Sequence, residues 1–182
     1  VNDWTDDLVQ LIFDSSFMTL ATADSDAVPW ASPVEFVCDE ALRFYWVSVF
    51  DARHSRNVEA NPHAALSIYD SAQTPGVAAV QGLYGEGPVE MLHGADLEGV
   101  RPILNRWVAW RDAGRDTSQS RRGGAGFGGD MPWRFYRLTP TQLYALDPSP
   151  PREQGSLVDW RVPVDLSEGF LRAYRSRMES SR

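Results

Sequence analysis

The chain has 182 residues, 43% of them hydrophobic, which is the size and composition of one domain with a sizeable core. Its 17 basic and 25 acidic residues leave a net charge of −8, which argues against general affinity for nucleic acid or an anionic membrane. All basic side chains other than three histidines are arginine, and without lysine there is no Schiff-base catalysis, no covalent pyridoxal phosphate and no P-loop. No apolar run approaches the roughly 20 residues of a membrane span and the first residues are polar and acidic, so a soluble cytoplasmic protein is expected. The single cysteine, Cys38, rules out an internal disulfide framework.

In chain order, Trp4, Leu8, Leu11 and Ile12 recur at helical spacing and predict an amphipathic helix from Trp4 to Ser15. The period then changes to that of strands. Phe17 to Thr22, a turn from Asp24 to Ala27, and the alternating run from Trp30 to Val37 predict a hairpin. Pro33 cannot donate to a ladder, so its strand belongs at an edge. Leu42 to Ser48 is a third strand. Asp51 as N-cap and Pro62 as a stop predict a helix of about two and a half turns between them. Ala64 to Tyr69 and Val77 to Leu92 are further strands, and Asp96 to Asp112 has a helical apolar face. After a glycine-rich loop at 114–130, Trp133 to Leu138 and Leu143 to Asp147 resume strand character. A last strand is expected within Leu157 to Val164, and a terminal helix at about 167–178. The result is a single domain, 1–182, of mainly antiparallel β structure with a helix and loop insertion at about 94–131.

Gly124 to Gly129 satisfies GxGxxG by letter, but Ser-Gln-Ser-Arg-Arg precedes it and Asp130-Met131-Pro132 follows. A dinucleotide site needs a strand feeding a helix there, so this is read as a surface loop, or as a lid carrying Arg121 and Arg122. His54, His63 and His93 lack the paired spacing of a metal site, and none is expected. His93 and Asp96 read as a surface pair, and Cys38 beside two acids as a buried or turn residue.

The informative stretch is Asp51 to Asn57. Arg53, His54 and Arg56 crowd the first turn of the predicted helix, where cations oppose the macrodipole by about 0.3 to 1 kcal/mol each. The cations and the free N–H groups of a helix start become compatible if both face one anion. Arg53 and His54 supply charge, Ser48 and Asn57 neutral donors, and a planar ligand would run along the Ser32 to Glu35 backbone.

With these residues in view, the chain resembles the pyridoxamine-phosphate-oxidase-like family of FMN-binding split barrels over roughly residues 8 to 147. The resemblance rests on the order of Phe17 to Thr22, Pro29 to Val34, Phe44 to Ser48, Arg53 to Val58 with Asn61-Pro62, Gly82 to Gly87 and Arg134 to Pro140. It implies a six-stranded antiparallel split β-barrel with flanking helices that forms a homodimer, with FMN between the subunits. By position it places Ser32, Pro33, Val34 and Glu35 along the flavin ring edge and Trp46, Val47 and Ser48 near the ribityl phosphate. Arg53 and His54 fall on the phosphate and Gln81 near the ring. His54 stands where the family usually has lysine, and no histidine follows His93, so the arginine–histidine motif of vitamin B6 oxidation is missing. What the resemblance implies is an FMN-dependent oxidoreductase acting on a small molecule through flavin N5. Alternatives on the same fold are a reductase using the deazaflavin F420, or a flavin or haem carrier without turnover.

Overall fold

The computed structural model describes residues 5–70, 82–100, 102–103, 132–146, 161–164 and 168–180. Helix α1 (Thr5–Asp14) leads into the hairpin β1 (Phe17–Ala23) and β2 (Pro29–Glu35). Its turn is held by Asp24, whose Oδ1 accepts from the Asp26 and Val28 amides at 3.1 and 2.9 Å, while Ala27 takes a positive φ of 61°. The short β3 (Val37–Cys38) and β4 (Phe44–Val49) follow, then helix α2 (Arg53–Ala60), β5 (His63–Tyr69) and β6 (Gly82–Met91). Helix α3 (Gly94–Gly99), strands β7 (Trp133–Leu138), β8 (Gln142–Leu146) and β9 (Arg161–Pro163), and helix α4 (Glu168–Ser180) complete the described chain.

All strand pairs are antiparallel, in the order β2-β1-β5-β6-β7-β4-β3, with β8 joining β6 to β9. The ten-residue β6 curls the sheet into a half-barrel. Its first part pairs with β5 and β8, and Val89 to Met91 pair with β7. Gly87 of β6 lies against the connection from β7 to β8, and a Cβ there would collide with the Thr139 carbonyl. Six strands reach six residues or more, namely β1, β2, β4, β5, β6 and β7, which matches the expected six-stranded split barrel; the other three are short. Pro33 sits opposite Thr19 in β2, which is the end strand of the sheet path, as its missing N–H requires.

Alternation along the strands builds the core. Met18 and Leu20, Leu66 and Ile68, Phe44 and Trp46, and Tyr136 and Leu138 point inward and are buried. Helix α1 turns Leu8, Val9, Leu11 and Ile12 onto this core, and Phe13 meets Tyr174 of α4 at 5.2 Å between ring centroids. The single helix expected at 96–112 is corrected: α3 ends at Gly99 with Val100 as its C-cap, and residues 102–103 are again helical. Residues 104–112 and the glycine-rich segment at 114–130 lie outside the described residues.

Candidate functional site

Strand β4 delivers the chain to α2 through Phe50, Asp51 and Ala52. The N-cap expected at Asp51 is corrected: Ala52 holds that position with extended backbone (φ −62°, ψ 149°) and makes no side-chain cap. The cause is local. The Ala52 amide donates to the Val49 carbonyl at 3.1 Å and Ser55 Oγ donates to the same oxygen at 2.8 Å, so the helix begins one residue late. Asp51 offers only its carbonyl, which accepts from the Arg56 guanidinium. The first turn is therefore left without a side-chain acceptor while carrying Arg53, His54 and Arg56.

Folding brings two buried serines to this turn from different strands. His54 Nδ1 lies 3.1 Å from Ser32 Oγ of β2, and Nε2 lies 2.7 Å from Ser48 Oγ of β4. The imidazole thus spans the gap between the strands, and burial lowers its pKa from the usual histidine value. Arg53 is placed by two further residues. Its guanidinium lies 4.4 Å from the centroid of the exposed Trp30 ring and 4.0 Å from Asp24 Oδ2. Because Asp24 Oδ1 is committed to the turn, only its second oxygen reaches the arginine.

One more cation belongs here. Strand pairing sets Arg134 of β7 directly opposite Ser48 on the same face, with its guanidinium 5.4 Å from the Phe50 ring. Sequence reasoning did not assign it, because nothing short of the β4–β7 register connects residues so far apart. Trp30 and Asp24 were missed for a similar reason: they are visible only relative to Arg53.

Not every expected residue reaches this point. Asn57 is buried and its Nδ2 donates to Thr22 Oγ1 at 3.0 Å, which ties α2 to β1. Trp46 is buried in the core and stacks on Tyr136 at 5.4 Å and 13°. Val47 faces the other way, into a cluster with Tyr45 and Phe135. In β2, Val34 is core, Pro33 is exposed on the outer face, and Glu35 ends the strand opposite Phe17. Gln81, Arg121 and Arg122 lie outside the described residues. The residues gathered are Ser32, Ser48, Arg53 and His54, with Trp30, Asp24 and Arg134 around them. An uncapped helix start, two guanidinium groups and two hydroxyls suit a phosphomonoester, which accepts hydrogen bonds from all of them.

A family model described as pyridoxamine 5'-phosphate oxidase matches residues 4–145. The pyridoxine/pyridoxamine 5'-phosphate oxidase of Cupriavidus metallidurans is 30% identical over 156 residues, covering 77% of this chain and 71% of its own. Among solved structures, a haem-binding protein from Mycobacterium smegmatis aligns with a TM-score of 0.60 and 19% identity over 97% of this chain, which spans only 62% of that one. A fad-binding protein from Mesorhizobium loti aligns with a TM-score of 0.54 and 20% identity over 80% of this chain and 94% of that one. The structural likenesses speak to the fold alone. The sequence match, running from the first helix through β1 to β8, shows that the chain belongs to the pyridoxamine 5'-phosphate oxidase family.

Proposed function

We propose that the protein is an FMN-dependent oxidoreductase that holds the cofactor phosphate at the start of α2. The observation that carries this reading is the convergence of Arg53, His54, Ser32 and Ser48 on an uncapped helix start in a chain of net charge −8. Flavin, when bound, supplies the hydride chemistry at N5. The chain's own residues do the rest. Arg53 and Arg134 contribute charge, Ser32 and Ser48 contribute donors, and Trp30 with Asp24 hold the Arg53 guanidinium in place. The substrate in this reading is an unidentified small molecule.

A homodimer suits this reading. The outer face of β2, β1 and β5 exposes Phe17, Ala21, Ala31, Pro33, Ala65 and Tyr69, an apolar sheet surface of the kind that pairs with a second copy. No helix among the described residues is long and apolar enough to cross a membrane, and a cytoplasmic setting is proposed. Haem is a poorer fit at this point, because both ring nitrogens of His54 are within hydrogen-bonding distance of serine hydroxyls and neither is turned out as a metal ligand.

Purified protein titrated with FMN and with riboflavin tests the reading. FMN should bind more tightly by the worth of one or two charge-assisted hydrogen bonds, about 1.5 to 3 kcal/mol each. Equal affinities would remove the phosphate from α2. A Soret band or a deazaflavin spectrum in the isolated protein, with no response to FMN, would replace the flavin.

A further inference from the structure

His54 has a hydrogen-bonding arrangement with a consequence for which ligands the site admits. A neutral imidazole carries one N–H and one lone pair. Between Ser32 at 3.1 Å and Ser48 at 2.7 Å, one hydroxyl must donate its hydrogen to the ring, and only the other, which accepts from the ring, keeps its own hydrogen for a ligand. A protonated imidazole carries two N–H groups. Both serines then accept from the ring, and both hydroxyl hydrogens become available.

We propose that His54 sets the specificity of this site for doubly charged phosphomonoesters by taking up one proton from solvent as the ligand binds, which turns the Ser32 and Ser48 hydroxyls outward together. The proposal rests on the phosphate placement given above and names how that site selects its ligand. The proton comes from water or buffer and rests on the imidazole; no covalent bond changes.

The surroundings leave His54 free to respond in this way. The inward faces of the strands beside it present Leu20 and Thr22 from β1, Ser32 and Val34 from β2, and Trp46 and Ser48 from β4, none of them ionised near neutrality. The nearby charged groups are Arg53, Arg56 and Glu59 of α2 itself, Asp51 just before it, Asp24 at the β1–β2 turn beside Arg53, Glu35 at the far end of β2, and Arg134 across from Ser48. Burial alone shifts the imidazole, and it does so towards the neutral form. A dianion seated against the ring supplies the missing opposite charge and reverses that preference.

Calorimetric titration of the whole protein with FMN at about pH 7.5, where the free phosphate is mostly the dianion, tests this in two buffers of different ionisation enthalpy. The two apparent enthalpies should differ by an amount that corresponds to uptake approaching one proton per FMN, and FMN affinity should weaken by up to about tenfold per pH unit above neutrality. Riboflavin should show neither effect. His54→Lys, charged throughout this range, should bind FMN without proton uptake and with a flat pH profile. Tight FMN binding by the wild type with no proton uptake overturns the proposal while leaving the phosphate placement intact. Equal FMN and riboflavin affinities overturn both.

Discussion

Two polar clusters in this molecule use similar side chains to opposite ends. At the β3–β4 hairpin, buried Asp39 accepts at Oδ1 from the Ala41 and Arg43 amides, both at 2.9 Å. Its Oδ2 accepts from Arg43 Nε at 2.7 Å and Tyr45 OH at 2.9 Å, and Arg43 closes an ion pair at 2.7 Å. Both carboxylate oxygens are fully used. At the start of α2, the positive groups outnumber the negative, the closest carboxylate contact of Arg53 is 4.0 Å, and the helix has no side-chain cap. A cluster whose donors and acceptors balance stabilises the fold. One with surplus donors and charge stabilises something that arrives later, so mutations in the two should separate stability from binding.

The largest effect is expected at the balanced cluster. Asp39→Ala removes the acceptor of the buried Tyr45 hydroxyl, which keeps only its contact with Arg137, strands two turn amides and leaves Arg43 without its carboxylate, a loss of about 3 kcal/mol by the usual cost of breaking such a network. Urea denaturation should report it as a lower midpoint, with the FMN affinity of the folded fraction unchanged. A loss under about 1 kcal/mol would mean that the hairpin is held by packing alone.

Tyr45 provides a pH test of the same cluster. Burial first, and the Asp39 charge second, push its phenol up to about 12. The folded pKa lies above the unfolded value of about 10, so this stabilisation is complete below pH 10 and is lost as pH rises from about 10 to 12. It amounts to about 2 to 3 kcal/mol. Because the chain has no lysine, ammonium groups do not obscure that window. Denaturation free energies at intervals from pH 9 to 12 should fall more steeply for the wild type than for Tyr45→Phe. Some slope should survive in the variant, since burial also raises Tyr136.

At the unbalanced cluster the ordering reverses. Arg53→Ala should weaken FMN by about 1.5 to 3 kcal/mol and leave riboflavin unchanged. Its stability should stay within about 0.5 kcal/mol of the wild type, because a half-exposed arginine 4.0 Å from a partly exposed carboxylate contributes little to folding. A large loss of stability in this variant would collapse the contrast between the two clusters.

The contrast also explains what the sequence could and could not disclose. Strand period, the Asp24 turn, the edge proline and the crowded cations at 53–56 are local, and each was legible within a window of a few residues. The cations at a helix start were informative because they broke a local rule. The roles of Asn57 and Trp46 were not legible, since spacing alone cannot say that Asn57 would bond Thr22 or that Trp46 would lie on Tyr136 across a strand pair. Asp51 misled as a cap because the competing acceptor, the Val49 carbonyl, belongs to a strand end whose position the sequence does not mark. Arg134 needed the register of β4 on β7.

The smallest expected effect is also the one with the most diagnostic sign. Trp30 and Asp24 both touch Arg53, but they act differently on an anion beside it. The Trp30 ring holds the guanidinium without neutralising it, a contact worth about 0.5 to 1 kcal/mol at an exposed position. Asp24 holds it with a negative charge that opposes the ligand, and an exposed pair of this kind is worth about 0 to 1 kcal/mol. Trp30→Leu should therefore weaken FMN by about two- to fivefold, and Trp30→Phe, which keeps an aromatic face, should restore most of that loss. Asp24→Asn retains a carbonyl oxygen for the Asp26 and Val28 amides, so the hairpin turn persists while the charge is lost, and FMN affinity should rise by a similar small factor. Riboflavin should be indifferent to both changes. Weaker FMN binding by Asp24→Asn at unchanged stability would show that Asp24 orients Arg53 more than it competes with the phosphate, and that the charge surplus at α2 is smaller than the geometry implies.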